Sequence, residues 1–460
     1  MKNIEKTQEI AMSFKVGVGK VDITPNHNAP TQYWCLGNER SRITSFPDQL
    51  YAKTIALSDG RRTVTVTSLD VACLYKIHHD AIRKIARQTI SAPIDEMFLH
   101  NTHQHSDSFN EYEEAYDLFG VNDQAFDLEY CASLPKRIAN SIALAVQDMR
   151  PALVGYGSGA VEEGIASCRR VILEDGKLAW RGSRPDEAGR SLPRGHIDPE
   201  VGVVSFVEPD GKAIATLVNY ACHPSAAGGD SPTCCSADYP GFATRMIDQL
   251  HGGTSIFLHG CSGDINPGKY VRGDRLENKD RIADAKRMGQ ILAGEVIKTL
   301  GLLRYEEVAY LNAIQEETAL PVKAEAGDQE ECLKNAKEAV ERMRQTRADP
   351  RTALRKYIIS RKIKDGQCPV NMGAVAINNL ALSFMPGEPF TSYGQQIKAA
   401  SMAQMTMVAS TCGQDPFYIP TPEAIAQGGY ETNRIASVET GIALVAQAKR
   451  LLKEIVRQQM

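Results

Sequence analysis

The sequence predicts a layered α/β domain, a mixed β-sheet flanked by helices, with its active site at strand ends. Three observations carry that prediction. Short runs rich in Val, Ile and Thr alternate with longer stretches whose apolar residues recur every three or four positions. No run of 18 apolar residues occurs, so no transmembrane helix is expected. The most conspicuous histidines sit where apolar runs stop, and open α/β sheets collect their active sites at such ends.

Taken in order, 14–23, 51–57 and 63–73 read as strands, the last with Val64, Val66 and Leu69 among threonines. Segment 78–90 has helical spacing in Ile82, Ile85, Ala86 and Ile90, 97–100 is a buried strand, and 128–149 is a long helix ending before Pro151. The alternation continues with strands at 201–207 and 213–220, a helix at 239–250, a strand at 255–259 and a helix at 279–300. Between 323 and 366 the composition shifts. Segment 329–346 is rich in Glu, Lys, Arg and Ala, with Leu333, Ala336, Ala339 and Met343 on one face, and a second helix follows at 352–363. This arm reads as a solvated charged helix, with a cover over the site or an oligomer contact as the alternatives. Sheet-like sequence resumes at 373–385, where two short strands turn at Asn378-Asn379, and a helix at 435–457 closes the chain. No internal repeat is visible. We expect a loose tail at 1–13 and one integrated domain over 14–460 with the helical arm at 323–366.

The 460-residue chain is 43% hydrophobic and 23% charged, ordinary for a globular protein. Its net charge of -4 offers no electrostatic reason for binding nucleic acid or an anionic membrane. The polar first dozen residues lack the apolar core of a secretory signal. The eleven cysteines follow no small-scaffold pattern and read as reduced thiols, so a cytoplasmic location is expected. The expected partner is a small amide or a lipid-like substrate; whether the chain forms a homo-oligomer stays open.

His103-Gln104-His105 follows the run Met97-Phe98-Leu99. On an extended backbone, side chains two residues apart point the same way, so one strand end would present both imidazoles. His223 ends another apolar run, and Glu388 follows a Pro-Gly turn after 381–384. Glu388 is either the N-cap of a helix at 390–400 or a metal ligand. With His103 and His223 it completes a two-histidine, one-carboxylate set with a position left for water. The turn Gly260-Cys261-Ser262-Gly263-Asp264-Ile265-Asn266-Pro267 is small enough for backbone N–H groups to approach a substrate. It lacks the glycine spacing of a nucleophile elbow around Ser262. Tyr418 and Tyr430 flank a polar loop, where a phenol is either a packing residue or a donor beside a cation.

In this order, the pieces resemble the catalytic domain of the neutral/alkaline, non-lysosomal ceramidase family. The matching stretches are Gly17-Val18-Gly19-Lys20-Val21-Asp22-Ile23-Thr24-Pro25, Thr102-His103-Gln104-His105-Ser106, Asn219-Tyr220-Ala221-Cys222-His223-Pro224 and Gly263-Asp264-Ile265-Asn266-Pro267. Pro386-Gly387-Glu388 and Tyr418 with Tyr430-Glu431 follow, so the set spans nearly the whole chain from Phe14. The resemblance implies an amidase with one Zn2+ per chain, held by His103, His223, Glu388 and Tyr418. It places His105 and Tyr430 at the reaction centre with an arginine matching Arg169 or Arg170, and the turn carrying Gly263, Asp264 and Asn266 against substrate.

The chain departs from the pattern in three places. Asn266 stands where the family's ceramidases usually have Ser. Asp107-Ser108-Phe109 replaces Gly-Pro-Gly, and neither an export signal nor an extra C-terminal β-sandwich is expected. Hydrolysis of a linear amide, ceramidase-like, is the function expected, with an ester or a lactone on the same site as the alternative. Outside that class stand a non-haem iron oxidoreductase, a cysteine hydrolase using Cys261 or Cys222 with His223, and a non-catalytic binding protein.

Overall fold

The computed structural model describes residues 14–29, 42–106, 127–162, 165–173, 176–180, 195–227, 233–267, 281–346, 351–413 and 417–457. The expected tail at 1–13 and the Asp107-Ser108-Phe109 segment lie outside the described residues.

The chain builds the same unit three times. In the first, β1 (Lys15–Asp22), β2 (Tyr51–Ser58) and β3 (Thr63–Leu69) form an antiparallel meander; α1 (Lys76–Thr89) crosses over to β4 (Glu96–Asn101), parallel to β3, and α2 (Leu128–Gln147) follows. A two-residue strand, β5 (Arg150–Pro151), pairs with the outer edge of β1. The second unit starts with β6 (Leu153–Ala160), and the short strands β7 (Ala166–Cys168), β8 (Arg170–Ile172) and β9 (Leu178–Trp180) then interrupt it. It continues through β10 (Glu200–Val207), β11 (Ala213–Tyr220), α3 (Asp238–His251), the parallel strand β12 (Thr254–His259), the short β13 (Ile265–Pro267) and α4 (Arg281–Leu300). The third opens with β14 (Leu311–Pro321), carries the arm helices α5 (Gln329–Thr346) and α6 (Arg351–Ser360), and returns through β15 (Gln367–Ile377) and β16 (Leu380–Phe384). After the two-residue β17 (Glu388–Pro389) and α7 (Thr391–Ala400) comes β18 (Met405–Ala409), parallel to β16; then β19 (Tyr418–Ile419), α8 (Pro422–Gln427) and α9 (Val438–Arg457).

The main sheets therefore share one order, β4-β3-β2-β1, β12-β11-β10-β6 and β18-β16-β15-β14. Each parallel edge strand is followed by a 20-residue helix, α2, α4 or α9. The absence of a visible sequence repeat thus conceals a repeat of topology. Similar burial is met with different residues, which suffices for a fold.

One face of each sheet turns to a common core, where Val16, Val66 and Phe98 meet Val204, Phe206 and Leu217 of the second sheet and Val375, Leu382 and Phe384 of the third. Phe98 and Phe384 stack there at 4.4 Å. The other faces bury against helices, through Ile82, Ile138 and Ile142 in the first unit, Ala243, Met288 and Leu292 in the second, and Ile397, Leu444 and Leu451 in the third. Sheets covered on both faces explain why the strands read as apolar runs.

The glycines of the first motif make the helix–sheet contact. A Cβ at Gly17 would stand 2.1 Å from the Ala145 carbonyl oxygen, and one at Gly19 would stand 1.9 Å from that of Ser141. Only a bare backbone lets α2 lie this close to β1.

The arm inserts between β14 and β15, where their ladder ends at Pro321 and Gln367. Cys332, Ala336, Ala339 and Val340 of α5 are buried, whereas Leu333 is half-buried. One face thus packs as its pattern suggests, while most of the charged residues remain at the surface. No helix among the described residues is long and apolar enough to cross a membrane.

Candidate metal centre and active site

The C-terminal ends of β4, β12 and β18 meet beneath the site. The His259 N–H donates to His100 Nε2 at 2.8 Å, the Ser410 N–H donates to the His259 carbonyl at 2.8 Å, and Asn101 Nδ2 donates to the Thr411 carbonyl at 2.9 Å. His100 itself is a strut. Its Nδ1 lies 3.0 Å from the Ser68 hydroxyl, and burial pushes its pKa down to about 3.

The loops above this junction carry the candidate site residues. β4 ends at Asn101, and His103 adopts a left-handed backbone with φ of 64°. The two imidazoles are therefore brought together by a turn and not by the extended backbone expected for 103–105, since β4 ends two residues before His103. Left-handed backbone is uncommon in a residue with a side chain. It is held here by Thr102 N–H to the Leu69 carbonyl at 2.8 Å and His103 N–H to the Val71 carbonyl at 3.1 Å. The His103 and His105 rings lie 5.0 Å apart, and the ligand atoms of His103, His105 and His223 all fall within 4.8 Å of one another.

Glu388 completes the cluster. One of its oxygens lies 3.1 Å from His223 Nε2 and 3.3 Å from His103 Nε2. The N-cap of α7 is Phe390, so the capping alternative for Glu388 is not the one adopted. β17 and β19 form a two-residue parallel ladder that registers Glu388 opposite Tyr418, which is also buried. The His223 and Tyr418 rings stack at 6.4 Å.

Proton positions follow from the partners. His103 Nδ1 lies 2.7 Å from the Ala72 carbonyl, and His223 Nδ1 lies 2.8 Å from the Ser262 carbonyl and 3.0 Å from that of Ile265. A carbonyl only accepts, so each Nδ1 carries a proton and each Nε2 is the atom turned to Glu388. Burial lowers the pKa of His223 to about 4. For Glu388, burial acts upward, but His103 and His223 outweigh it and hold the carboxyl well below its ordinary range. Two imidazole Nε2 atoms and a carboxylate thus converge in a buried space, an arrangement that can hold a cation. The donor set fits a divalent transition metal, with both histidines oriented by backbone carbonyls as metal-ligating imidazoles usually are.

The remaining residues surround this centre. His105 keeps one edge accessible, and burial of the rest, with His103 and His223 nearby, holds its imidazole well below its ordinary pKa. The Arg169 guanidinium lies 4.9 Å over the Tyr418 ring, whereas Arg170 turns to the end of α8, where it donates to the Gly428 carbonyl at 2.8 Å. The arginine that faces the site is Arg169. Burial drives the Tyr418 phenol well above its ordinary pKa with help from Glu388, and Arg169 opposes them. The Tyr430 ring stands 5.6 Å from Tyr418 and is half exposed.

In the 260–267 turn, Gly263 donates its N–H to the Pro389 carbonyl at 3.0 Å, and Asp264 accepts from Thr391 N–H at 2.8 Å. Asn266 accepts from Arg169 at 3.4 Å. This turn locks β17 and the start of α7 in place, and all three residues meet Arg169, whose guanidinium donates to the Gly263 carbonyl and to Asn266 and whose backbone N–H donates to the Asp264 carbonyl at 2.9 Å. Cys261 packs in the third unit's core, where burial pushes its thiol far up, the opposite of an activated nucleophile.

Sequence reading passed over two members of the cluster. His259 stacks on His103 at 5.6 Å and holds Ser262 at 2.5 Å; its position at the end of an apolar strand was the available signal. Glu431 binds both arginines, and no local pattern announces that.

No protein-family model matches the sequence, and no curated protein matches it. Among solved structures, the neutral ceramidase from Pseudomonas aeruginosa matches with a TM-score of 0.72 at 18% identity over 97% of this chain and 75% of that one. A ceramidase complexed with C2 matches with a TM-score of 0.72 at 17% identity over 98% of this chain and 76% of that one. The fold of this chain is that of the neutral ceramidases.

Proposed function

We propose that this protein is a zinc-dependent hydrolase of a linear amide bond, an N-acyl amide of the kind the structurally similar ceramidases are named for. The observation that carries this reading is the convergence of His103 Nε2 and His223 Nε2 on the Glu388 carboxylate. His103, His223, Glu388 and Tyr418 would hold one Zn2+. Zinc bound there supplies Lewis acidity and lowers the pKa of a coordinated water to roughly 7.

The chain's own residues supply the rest. His105, neutral and with one edge open, accepts a proton from the attacking water and delivers it to the leaving amine. Arg169 and Tyr430 donate toward the carbonyl oxygen as negative charge develops on it. Arg170 holds the loop that carries Tyr430, and the 260–267 turn offers Gly263, Asp264 and Asn266 toward the substrate.

The test is a hydrolysis screen over N-acyl amides, esters and lactones, with and without chelator. The reading expects amide cleavage that chelator abolishes and zinc restores. Preference for esters or lactones would move the substrate class, and chelator-resistant cleavage would remove the metal from the account.

A further inference from the structure

The reaction proposed above needs a guanidinium beside Tyr418 and a phenol at the mouth of the site, and one buried carboxylate binds the first and, through Arg170, the backbone leading to the second. Glu431 is fully buried. One of its oxygens accepts from Arg169 Nε at 2.9 Å and the other accepts from Arg170 at 2.7 Å. A buried carboxylate shared by two guanidiniums is costly to desolvate and strongly directional once made.

The two arms of this clamp lead to different catalytic groups. Through Arg169, Glu431 sets the guanidinium plane over the Tyr418 ring and against Asn266. Through Arg170, it reaches the Ala424 carbonyl at 3.2 Å and the Gly428 carbonyl at 2.8 Å, fixing the end of α8. Gly428 and Gly429 follow with φ of 72° and 109°, so the backbone leading into Tyr430 is the part least constrained by its own residues. A Cβ at Gly429 would stand 2.8 Å from the Arg170 guanidinium, which shows how closely that arm grips the loop. Glu431 itself begins the 3-10 turn Glu431–Asn433 directly after Tyr430.

We infer that Glu431 is the positioning residue of this active site, aligning Arg169 and the Tyr430 loop together so that both donors point at the same oxygen. The inference rests on the proposed function for the identity of that oxygen, but the clamp is a property of the chain alone.

Glu431→Gln keeps the shape and removes the charge, while Glu431→Asp keeps the charge and shortens the reach, so one of the pair serves if the other fails to fold. Glu431→Gln is expected to retain one zinc per chain and to lose about 100-fold in kcat with KM changed by less than about threefold, the mark of an interaction made in the transition state. Adding Glu431→Gln to Arg169→Gln should cost less than the product of the two single losses, because the Arg169 alignment is already gone and only the Tyr430 arm is left to lose. Amide exchange over 422–430 should quicken in Glu431→Gln while the β17–β19 ladder keeps its protection. Multiplicative losses in the double variant, or a kcat fall that only tracks lost zinc, would overturn the inference. Were the wild-type chain inert toward every amide, ester and lactone, the functional reading would fall. Unchanged exchange over 422–430 would separately remove the clamp.

Discussion

At His103 the chain accepts a left-handed backbone to place an imidazole, a conformation that costs of order 1 kcal/mol or more in a residue with a side chain. The gain is that Nδ1 is pinned to the Ala72 carbonyl and Nε2 is aimed at Glu388. Tyr430 is the residue whose loss should separate chemistry from metal binding, since its ring stands beside Tyr418 and half of it faces solvent. Tyr430→Phe is expected to keep its zinc, measured by elemental analysis, and to lose about 100- to 1000-fold in turnover. Much of the centre was legible from residue types at strand ends, because His103, His223 and Glu388 each follow an apolar run. The choice between Arg169 and Arg170 was not legible. Both guanidiniums reach Glu431, and which one meets Tyr418 depends on segments far apart in the chain being brought together.

Among the elements, the long ones were readable and the shortest were not. Helix α5 was expected at 329–346 and is found at Gln329–Thr346, because its apolar spacing runs for several turns. Strand β3 was expected to reach 73 but ends at Leu69, since Asp70 turns its carboxylate to the Tyr51 N–H at 2.9 Å and takes the chain out of the ladder. Strands β17 and β19, which register Glu388 with Tyr418, are two residues each and have no period to detect. The Gly-x-Gly spacing of β1 has a role that the sequence motif alone does not disclose, the close approach of α2. Gly19→Ala should therefore destabilise the fold by roughly 1–3 kcal/mol through overpacking against the Ser141 carbonyl, measured by denaturant unfolding. An unchanged midpoint would show that α2 can shift without cost.

Across the whole molecule, three units of one topology place the ends of their parallel strands around a single centre. The site is thus built from segments hundreds of residues apart, and it forms only when all three sheets share their core. The same burial writes a pH dependence. His100 titrates near 6.5 when unfolded and near 3 when folded, so the unfolded chain binds its proton first and stability is lost as pH falls through that interval. Asp70 runs the other way, since burial raises its folded pKa from 3.8 to about 6 and protonation below that favours the fold. In equilibrium unfolding at a series of pH values, His100→Asn should flatten the acid-side loss by about one proton between pH 6 and 4, whatever its effect on the absolute midpoint. An unchanged slope would mean that His100 is not buried in its neutral form.

The central claim is that two imidazoles and a carboxylate from three different units grip one cation. Metal content of the purified wild-type chain, His103→Ala and His223→Ala, each confirmed folded by circular dichroism, tests it most directly. The account predicts about one zinc per wild-type chain and near-complete loss in both variants. A full complement of zinc in both variants would contradict it.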